Sequence, residues 1–215
     1  MASTYDCAVP DQRTEGLAAA ARAVKAGRLV VLPTDTVYGI GCDAFSGPAV
    51  RSLLAAKQRG PDMPVPVLVG SWSTIDGLVL GVPKSARDLI EAFWPGGLSL
   101  VLRHAPSLKW ELGETKGTVM LRMPLHPVAL ELLRDVGPMA VSSANVSGQP
   151  PAASAADALE QLGEKVGVYL DGGPSGEPVA STVIDLTGDD PRVLREGAVK
   201  TAEVAEVLGR DVLSA

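Results

Sequence analysis

Several segments of the chain repeat apolar residues at the spacing of an amphipathic helix. In the first, Leu17, Ala20, Ala21 and Val24 lie on one helical face between residues 13 and 26, and Gly27 follows as a stop. The same spacing predicts further helices that begin near Pro48, Pro83, Pro127, Ser154 and Thr201. Proline suits the first turn of a helix, and a serine or threonine hydroxyl can cap it.

Short apolar runs between these helices predict β-strands. The predicted strands cover residues 29–32, 65–69, 98–102, 118–121, 139–141, 168–170, 182–186 and 193–194. Because Pro66 cannot donate a ladder hydrogen bond, we expect its strand at an edge of the sheet. Strands and helices alternate, but strands also cluster. The expected fold class is therefore α/β, a single domain with a twisted mixed parallel/antiparallel sheet flanked by helices.

The chain shows no composition shift that would mark a second domain. We expect residues 1–12 to form an N-terminal arm, residues 13–208 the domain and residues 209–215 a C-terminal tail. Residues 171–180 are dense in glycine and proline, which predicts a loop. A length of 215 residues is enough for a sizeable hydrophobic core.

Composition narrows the class of protein. Apolar residues make up 46%, which indicates a folded domain, and the net charge of -6 argues against a strongly basic nucleic-acid coat without excluding a local basic groove. Cys7, Cys42 and two histidines favour neither a disulfide framework nor a Cys/His metal site. No apolar run approaches the ~20 residues of a membrane span, and no signal-peptide pattern opens the chain. We expect a soluble, cytoplasmic protein.

Residues 33–43 bring hydroxyl, carboxylate and glycine residues to the end of the first apolar run. Ligands bind at strand ends in open α/β sheets, so this stretch is a candidate for ligand contact. The alternative is a proline-led turn in which Asp35 and Thr36 satisfy local backbone groups. We expect Gly39 and Gly41 to let the chain bend around a cavity, and the role of Asp35 stays open.

Lys57 and Arg59 lie at the end of the second predicted helix. Cations are favoured at helix C-termini, which would explain both without any ligand. However, the following Gly60-Pro61 fixes a turn that could aim both side chains at one anion, as a phosphate clamp.

Ser143 and Asn145 directly follow an apolar strand and precede Gly148. Small polar groups before a glycine can bring backbone N–H groups close to an anion, or can simply form local turns between a strand and a helix. Neither the Walker pattern nor a nucleophile elbow occurs in the chain.

Other polar residues lie at strand ends. Arg122 and Arg195 each end a predicted strand, and Ser181-Thr182 opens one, although surface arginines and turn-capping hydroxyls are the ordinary alternative. His126, before Pro127, is predicted to start a helix rather than to act as a base. This inventory of hydroxyls, amides and cations suits positioning and charge stabilisation, as in phosphoryl or nucleotidyl transfer.

Five segments resemble, in order, the YrdC/TsaC family. They are residues 33–44, Lys57-Gln58-Arg59, residues 94–99, residues 143–148 and residues 181–185. The resemblance implies a deep, positively charged cavity on one side of the sheet, and this chain is similar to the short, single-domain form. Family members are L-threonylcarbamoyladenylate synthases, which take L-threonine, bicarbonate or CO2 and ATP and release pyrophosphate. The product feeds the threonylcarbamoyl modification of adenosine 37 in tRNA.

The resemblance also implies residue roles. The implied ATP site consists of Lys57, Arg59, Thr118, Ser143, Asn145 and Arg195. The implied threonine site consists of Thr34, Thr36, Arg122, Ser181 and Thr182. Lys57 and Arg59 are the implied catalytic pair, and Mg²⁺ would bridge the ATP phosphates without a dedicated metal ligand in the chain. A carbamate formed from threonine would attack the α-phosphorus, so the reaction needs no side-chain nucleophile.

The sequence departs from the family pattern at a few positions. Many relatives have a histidine where this chain has Leu68, and Ser or Thr where it has Pro150 and Pro151. A paralogue acting on another carbamate therefore stays open. The alternative from another functional class is a non-catalytic module that binds double-stranded RNA or tRNA. Later-step tRNA threonylcarbamoyltransferase proteins are the implied protein partners, and no membrane partner is expected.

Overall fold

A computed structural model gives the structure of the protein and describes residues 2–176 and 179–214. The strands are β1 (Ser3–Asp6), β2 (Val30–Leu32), β3 (Gly39–Asp43), β4 (Val67–Leu68), β5 (Leu98–Arg103), β6 (Thr118–Arg122), β7 (Met139–Ser143), β8 (Val168–Asp171), β9 (Thr182–Asp185), β10 (Arg192–Arg195) and β11 (Leu213–Ser214). The α-helices are α1 (Pro10–Lys25), α2 (Gly47–Ala56), α3 (Lys84–Phe93), α4 (Pro127–Val136), α5 (Ala155–Leu162) and α6 (Thr201–Leu208). Short 3-10 helices cover Trp72–Gly77 and Gly163–Lys165.

All described strands form one sheet in the order β1-β8-β2-β3-β7-β4-β6-β5-β9-β10-β11. β8 pairs in parallel with β1 and with β2, whereas β3 is antiparallel to both β2 and β7. β5 pairs antiparallel to β6 and parallel to β9. The prediction of a single-domain α/β fold with a mixed sheet is confirmed.

The sheet has a hydrophobic core on each face because side chains alternate along a strand. Val30 and Leu32 of β2 pack with α1 and α4, through residues such as Leu132. Val31 points to the opposite core, which α2, α3, α5 and α6 cover. His126 directly precedes the first turn of α4, as predicted.

The prediction of an edge strand at residues 65–69 is wrong. β4 contains only Val67 and Leu68 and lies inside the sheet, between β7 and β6. Pro66 precedes the paired residues and contributes its carbonyl, which accepts a hydrogen bond from the Val141 N–H at 2.9 Å. The missing N–H of this proline therefore costs the sheet no ladder bond.

The two glycines of β3 do not bend the chain around a cavity, contrary to the sequence expectation. Gly39 and Gly41 lie inside a regular strand that pairs with β2 and β7. A Cβ on Gly39 would lie 2.6 Å from Val141 Cγ1, and one on Gly41 would lie 2.9 Å from both Val141 Cγ2 and Met139 Cε. These glycines make room for the side chains of β7.

The chain ends add strands to the sheet. Residues Ser3–Asp6, which the sequence assigns to an arm, pair with β8, and Leu213–Ser214 of the predicted tail pair with β10. Each segment is too short to show a clear apolar alternation. In the predicted loop of residues 171–180, positions 177–178 lie outside the described residues.

Within the part of the chain that the structure describes, no helix is both long and apolar enough to cross a membrane.

Candidate active site

A cavity of about 320 Å³ opens on one face of the sheet. Leu68 and Val141 line it and also belong to the core beneath α1 and α4, so the cavity lies on the face that these two helices cover in part. Its polar lining consists of Thr34, Thr36, Arg59, Ser99, Arg122, Ser142, Ser143, Ser181 and Arg195. The lining comes from the β2–β3 connection and from neighbouring strand ends, as expected for a ligand site in such a sheet.

Arg122, at the end of β6, is a buried arginine held at several points. Its Nη1 donates to Thr36 Oγ1 at 2.8 Å, its Nη2 to Asp35 Oδ1 at 2.5 Å and its Nε to the Gly96 carbonyl at 2.9 Å. The same Asp35 oxygen accepts from the Leu125 N–H at 2.9 Å. Burial lowers the pKa of Arg122, while the Asp35 charge opposes that change. The guanidinium is therefore fixed in position and charged.

Thr34 and Thr36 form a small hydroxyl pair beside this arginine. Their Oγ1 atoms lie 3.1 Å apart, and Thr34 Oγ1 also donates to the Val37 carbonyl at 2.7 Å. Both side chains are buried but line the cavity. Thr34 Oγ1 also accepts from the Thr36 N–H at 3.2 Å, so its hydrogen-bonding capacity is used within the protein. Thr36 Oγ1 donates to Thr34 and accepts from Arg122, which leaves one lone pair for a ligand.

Ser181 and Arg195 form the next part of the wall. Arg195 donates from Nε to the Ser181 carbonyl at 2.9 Å and from Nη2 to Ser181 Oγ at 3.1 Å. Ser99 Oγ lies 2.9 Å from Ser181 Oγ on the other side. Burial lowers the pKa of Arg195. Its remaining guanidinium hydrogens make it a donor for an anion.

Arg59 supplies the third guanidinium. Its Nη1 donates to Ser142 Oγ and its Nη2 to the Pro64 carbonyl, each at 3.2 Å, while its buried Nε has no protein partner. Burial lowers the pKa of Arg59, and the opposing charge of Asp62 does not fully compensate the loss of water. A ligand anion would supply that compensation.

Lys57 does not line the cavity. Its side chain is buried, and its Nζ donates to the carbonyls of Ser143 and Asn145 at 2.5 and 2.7 Å. Burial, with a further contribution from the Arg59 charge, lowers the pKa of Lys57 to about 8. Lys57 and Arg59 thus both follow the end of α2 but face different surroundings.

Three more predicted residues lie outside the lining. Asn145 directs its Nδ2 to the carbonyls of Val146 and Gln149. Thr118 Oγ1 donates to the Thr115 carbonyl at 2.8 Å. Thr182 is fully buried, and its hydroxyl accepts from the N–H groups of Gly197 and Val199 and donates to the Val199 carbonyl. In each case the polar group already has protein partners.

Sequence reasoning missed several lining residues, among them Ser99, Met120 and Tyr38. Ser99 belongs to the Trp94–Ser99 segment that carries the family resemblance, so a signal for it was present. Met120 could have been found from its spacing, because it lies two residues before Arg122 on the same face of β6. Tyr38 lies in residues 33–44, which also carry the resemblance, although the partners of its hydroxyl, Asp171 and Gly173, are far away in sequence.

The charged side chains that line the cavity in the described part of the chain are all positive. Arginines 59, 122 and 195 line the cavity, and no carboxylate does so among the described residues. The same part of the chain contains no group of three or more His, Cys, Asp or Glu side chains that could hold a metal ion. The cavity is therefore built to accept anionic groups, and its donors can stabilise charge that develops on oxygen.

Sequence comparison finds relatives along the whole chain. The Sua5/YciO/YrdC family model, which carries the description "Telomere recombination", matches residues 22–197. A Mycobacterium tuberculosis protein provisionally named threonylcarbamoyl-AMP synthase is 64% identical over 214 residues, which cover 100% of this chain and 99% of that protein. The threonylcarbamoyl-AMP synthase of Bacillus subtilis is 37% identical over 195 residues, covering 90% of this chain and 56% of its own length.

Solved structures share the fold. Pyrococcus abyssi Sua5 in complex with L-threonine superposes with a TM-score of 0.91 at 34% identity, covering 100% of this chain and 62% of its own. Escherichia coli YciO superposes with a TM-score of 0.82 at 26% identity, covering 94% of this chain and 98% of its own. These neighbours share the mixed sheet and its flanking helices.

Proposed function

Because the chain belongs to the Sua5/YciO/YrdC family, we propose that it is an L-threonylcarbamoyladenylate synthase. It converts L-threonine, bicarbonate or CO2 and ATP to threonylcarbamoyl-AMP and pyrophosphate. The observation that carries this proposal is a cavity whose lining combines three arginines with hydroxyl groups and contains no carboxylate among the described residues. Such a lining suits two anionic substrates that must be brought together.

We assign the substrates to neighbouring parts of the wall of this cavity, which meet where Arg195 bonds Ser181. L-Threonine lies against Thr34, Thr36, Arg122 and Ser181, where a guanidinium faces its carboxylate and hydroxyls face its polar groups. ATP lies against Arg59, Ser143 and Arg195, where two guanidinium groups face the phosphates. Planar guanidinium groups suit both carboxylates and phosphates.

The reaction needs positioning more than covalent catalysis. The threonine amine attacks the carbon of CO2, which forms an N–C bond, opens one C=O π bond and releases an amine proton to solvent. With bicarbonate, the C–OH bond breaks instead and the hydroxide leaves with the amine proton as water. Either route gives a carbamate. A carbamate oxygen then attacks the α-phosphorus of ATP, forming a new O–P bond while the bond to the leaving pyrophosphate breaks. Fixed arginines stabilise the charge on the phosphate oxygens without reorganising during the step.

In this proposal Mg²⁺ binds to the protein as part of the MgATP substrate. No described Asp or Glu lines the cavity, so the chain supplies no carboxylate ligand there. Mg²⁺ keeps several waters and binds readily to phosphate oxygens, and it therefore arrives as the MgATP complex. A cytoplasmic location and transfer of the product to tRNA by separate threonylcarbamoyltransferase proteins are further parts of the proposal.

A product assay tests the function. The purified protein is mixed with MgATP, L-threonine and bicarbonate, and we expect pyrophosphate and threonylcarbamoyl-AMP, identified by mass. Replacing threonine with serine tests selectivity at the wall that contains Leu68. Salt-dependent retention of double-stranded RNA without either product would contradict the proposal and favour an RNA-binding module.

Arg59→Ala is the most informative variant for the same assay. We expect Arg59→Ala to lower pyrophosphate release by roughly 100-fold, because a preorganised donor to the reacting phosphates is lost. The matched control is Arg87→Ala, which removes an exposed arginine paired with Asp76 on the surface and should leave turnover unchanged. Near-normal turnover in Arg59→Ala would remove this residue from the site.

A further inference from the structure

A pair of serine hydroxyls, those of Ser99 and Ser181, lies on the cavity wall beside Arg195. Ser99 belongs to β5 and Ser181 directly precedes β9, and these two strands pair in parallel. The two Oγ atoms lie 2.9 Å apart, and both residues line the cavity. Arg195 donates from Nη2 to Ser181 Oγ at 3.1 Å. The pair therefore joins two strands and one of the cavity's guanidinium groups.

The two hydroxyls hold one proton more than the protein accepts. A guanidinium only donates, so Arg195 cannot accept the Ser181 proton. In the part of the chain that the structure describes, each serine oxygen is the only acceptor within reach of the other's hydroxyl. One contact between two oxygens holds one proton. The second hydroxyl proton is therefore left for an acceptor on a ligand in the cavity.

The surroundings favour Ser99 as the donor within the pair. Ser99 is 2% exposed and Ser181 is 8% exposed, and an unpaired proton costs more where it is further removed from water. When Ser99 donates, Ser181 Oγ accepts from both Ser99 and Arg195, and the Ser181 O–H is left for the cavity. Two donations to one hydroxyl oxygen polarise its O–H bond and make it a stronger donor.

Backbone contacts hold Ser181 in place for this task. Its carbonyl accepts a hydrogen bond from Arg195 Nε at 2.9 Å. The N–H of the following residue, Thr182, donates to the Gly97 carbonyl at 2.9 Å. Because the backbone is fixed on both sides, the freedom that remains to Ser181 is rotation of its side chain and its hydroxyl. The hydrogen bond to Ser99 restricts that rotation.

The neighbouring groups indicate which part of the substrate meets the Ser181 O–H. Burial lowers the pKa of Arg122 and the Arg195 charge lowers it further, so the two guanidinium groups are close enough to interact. Thr36 Oγ1 keeps only a lone pair for a ligand, which suits an N–H or O–H of the substrate. The Ser181 O–H needs an oxygen without a proton. In L-threonine such an oxygen belongs to the carboxylate, which the arginines also attract.

We infer that Ser99 is a positioning residue for L-threonine, because its hydroxyl donates to Ser181 Oγ and thereby directs the Ser181 O–H to the substrate carboxylate. The inference deepens the proposed function and rests on it for the identity of the ligand. The family resemblance implies a threonine contact for Ser181 but no role for Ser99. Ser99 acts through Ser181 rather than on the reacting atoms.

Equilibrium binding of L-threonine to wild type, Ser99→Ala, Ser181→Ala and the double variant tests the inference. We expect Ser99→Ala to weaken binding by about fivefold and Ser181→Ala by about 30-fold, because the second loses a hydrogen bond to a charged group. The double variant should bind within about twofold of Ser181→Ala, since no hydroxyl is left for Ser99 to direct. Independent contributions would instead multiply to a loss of about 150-fold.

Ser99→Thr and Ser52→Ala are the matched controls. Threonine keeps the hydroxyl and suits a β-strand, so Ser99→Thr should bind L-threonine within about twofold of wild type. Ser52→Ala removes an exposed hydroxyl that bonds the Pro48 carbonyl outside the cavity lining, and it should leave the affinity unchanged. Unchanged affinity in Ser99→Ala would overturn the inference. A multiplied loss in the double variant would do so too, as would equal losses in Ser99→Thr and Ser99→Ala.

Urea unfolding of the same four proteins without ligand gives a second readout. Because the two hydroxyls share one hydrogen bond, the midpoint shifts of the single variants should sum to more than the shift of the double variant. Additive shifts would contradict the bond between Ser99 and Ser181. Neither measurement requires turnover, so a wild-type protein that binds L-threonine but forms no product would overturn the proposed function and not the role of Ser99.

Discussion

At the scale of single residues, Asp35 acquires a role that its sequence context left open. Its carboxylate pairs with Arg122 and accepts the Leu125 N–H, so it holds the arginine in place. A contact with the substrate amine is not needed to explain the residue. The pair is largely removed from water, with side-chain exposures of 8% for Arg122 and 16% for Asp35. Breaking such a pair costs far more than breaking one on the surface.

We therefore expect Asp35→Asn to weaken L-threonine binding by about tenfold, because Arg122 loses its charged partner and its fixed orientation. Asp43→Asn is the matched control, since that carboxylate only accepts the Phe45 N–H outside the cavity lining. Isothermal titration of threonine measures both variants. Unchanged affinity in Asp35→Asn would mean that Thr36 and Gly96 suffice to orient the arginine.

The sequence located the polar strand ends but not the direction of each side chain. Arg122 and Arg195 end predicted strands, the family resemblance implies their contact with ligands, and both line the cavity. Thr182 directly follows Ser181, and Lys57 lies two residues before Arg59, yet the polar groups of Thr182 and Lys57 bond to the protein outside the cavity lining. The direction of a side chain depends on strand register and on the backbone angle of a neighbour such as Gln58, whose φ is 53°. Neither follows from local residue types.

At the scale of elements, the cavity wall depends on close packing between β3 and β7. Strand β4 was misplaced at an edge because Pro66 is a local signal, whereas strand order is set by packing across the whole sheet. The expectation for Gly39 was wrong for the same reason, because a local residue type does not reveal packing across the sheet. Its residue type suggests a turn, but its neighbour across the strands, Val141, decides its role.

Gly39→Ala tests this packing. The new methyl group would lie 2.6 Å from Val141 Cγ1, so strand or side chain must shift. We expect a loss of about 1–3 kcal/mol in the free energy of unfolding, measured with urea. Gly77→Ala is the control, because a Cβ there meets no atom within 4 Å. Equal stability of the two variants would show that Val141 moves aside freely.

At the scale of the whole molecule, two buried thiols couple stability to alkaline pH. Burial raises the pKa of Cys7 from 9.0 to about 11 and that of Cys42 from 9.0 to about 12. Above pH 9 these two thiols therefore hold more protons in the native state than in the unfolded state. Their contribution to the free energy of unfolding falls as the pH rises. Lys57 acts in the opposite direction, because its pKa is lowered from 10.5 to about 8 and the unfolded chain holds the extra proton between these values.

Above pH 9, a further rise in pH lowers the free energy of unfolding through the two thiols by more than it raises it through Lys57. The net effect of these three groups is a loss of stability. We expect wild type to lose more stability than the double variant Cys7→Ala/Cys42→Ala when urea unfolding is compared at about pH 8 and about pH 10. The comparison cancels alkaline effects that both proteins share, including that of Lys57. Because the alanine substitutions also change packing, the informative quantity is the pH-dependent difference rather than either stability. Parallel pH profiles would show that the thiols titrate alike in the folded and unfolded chain, contrary to their burial in the two cores.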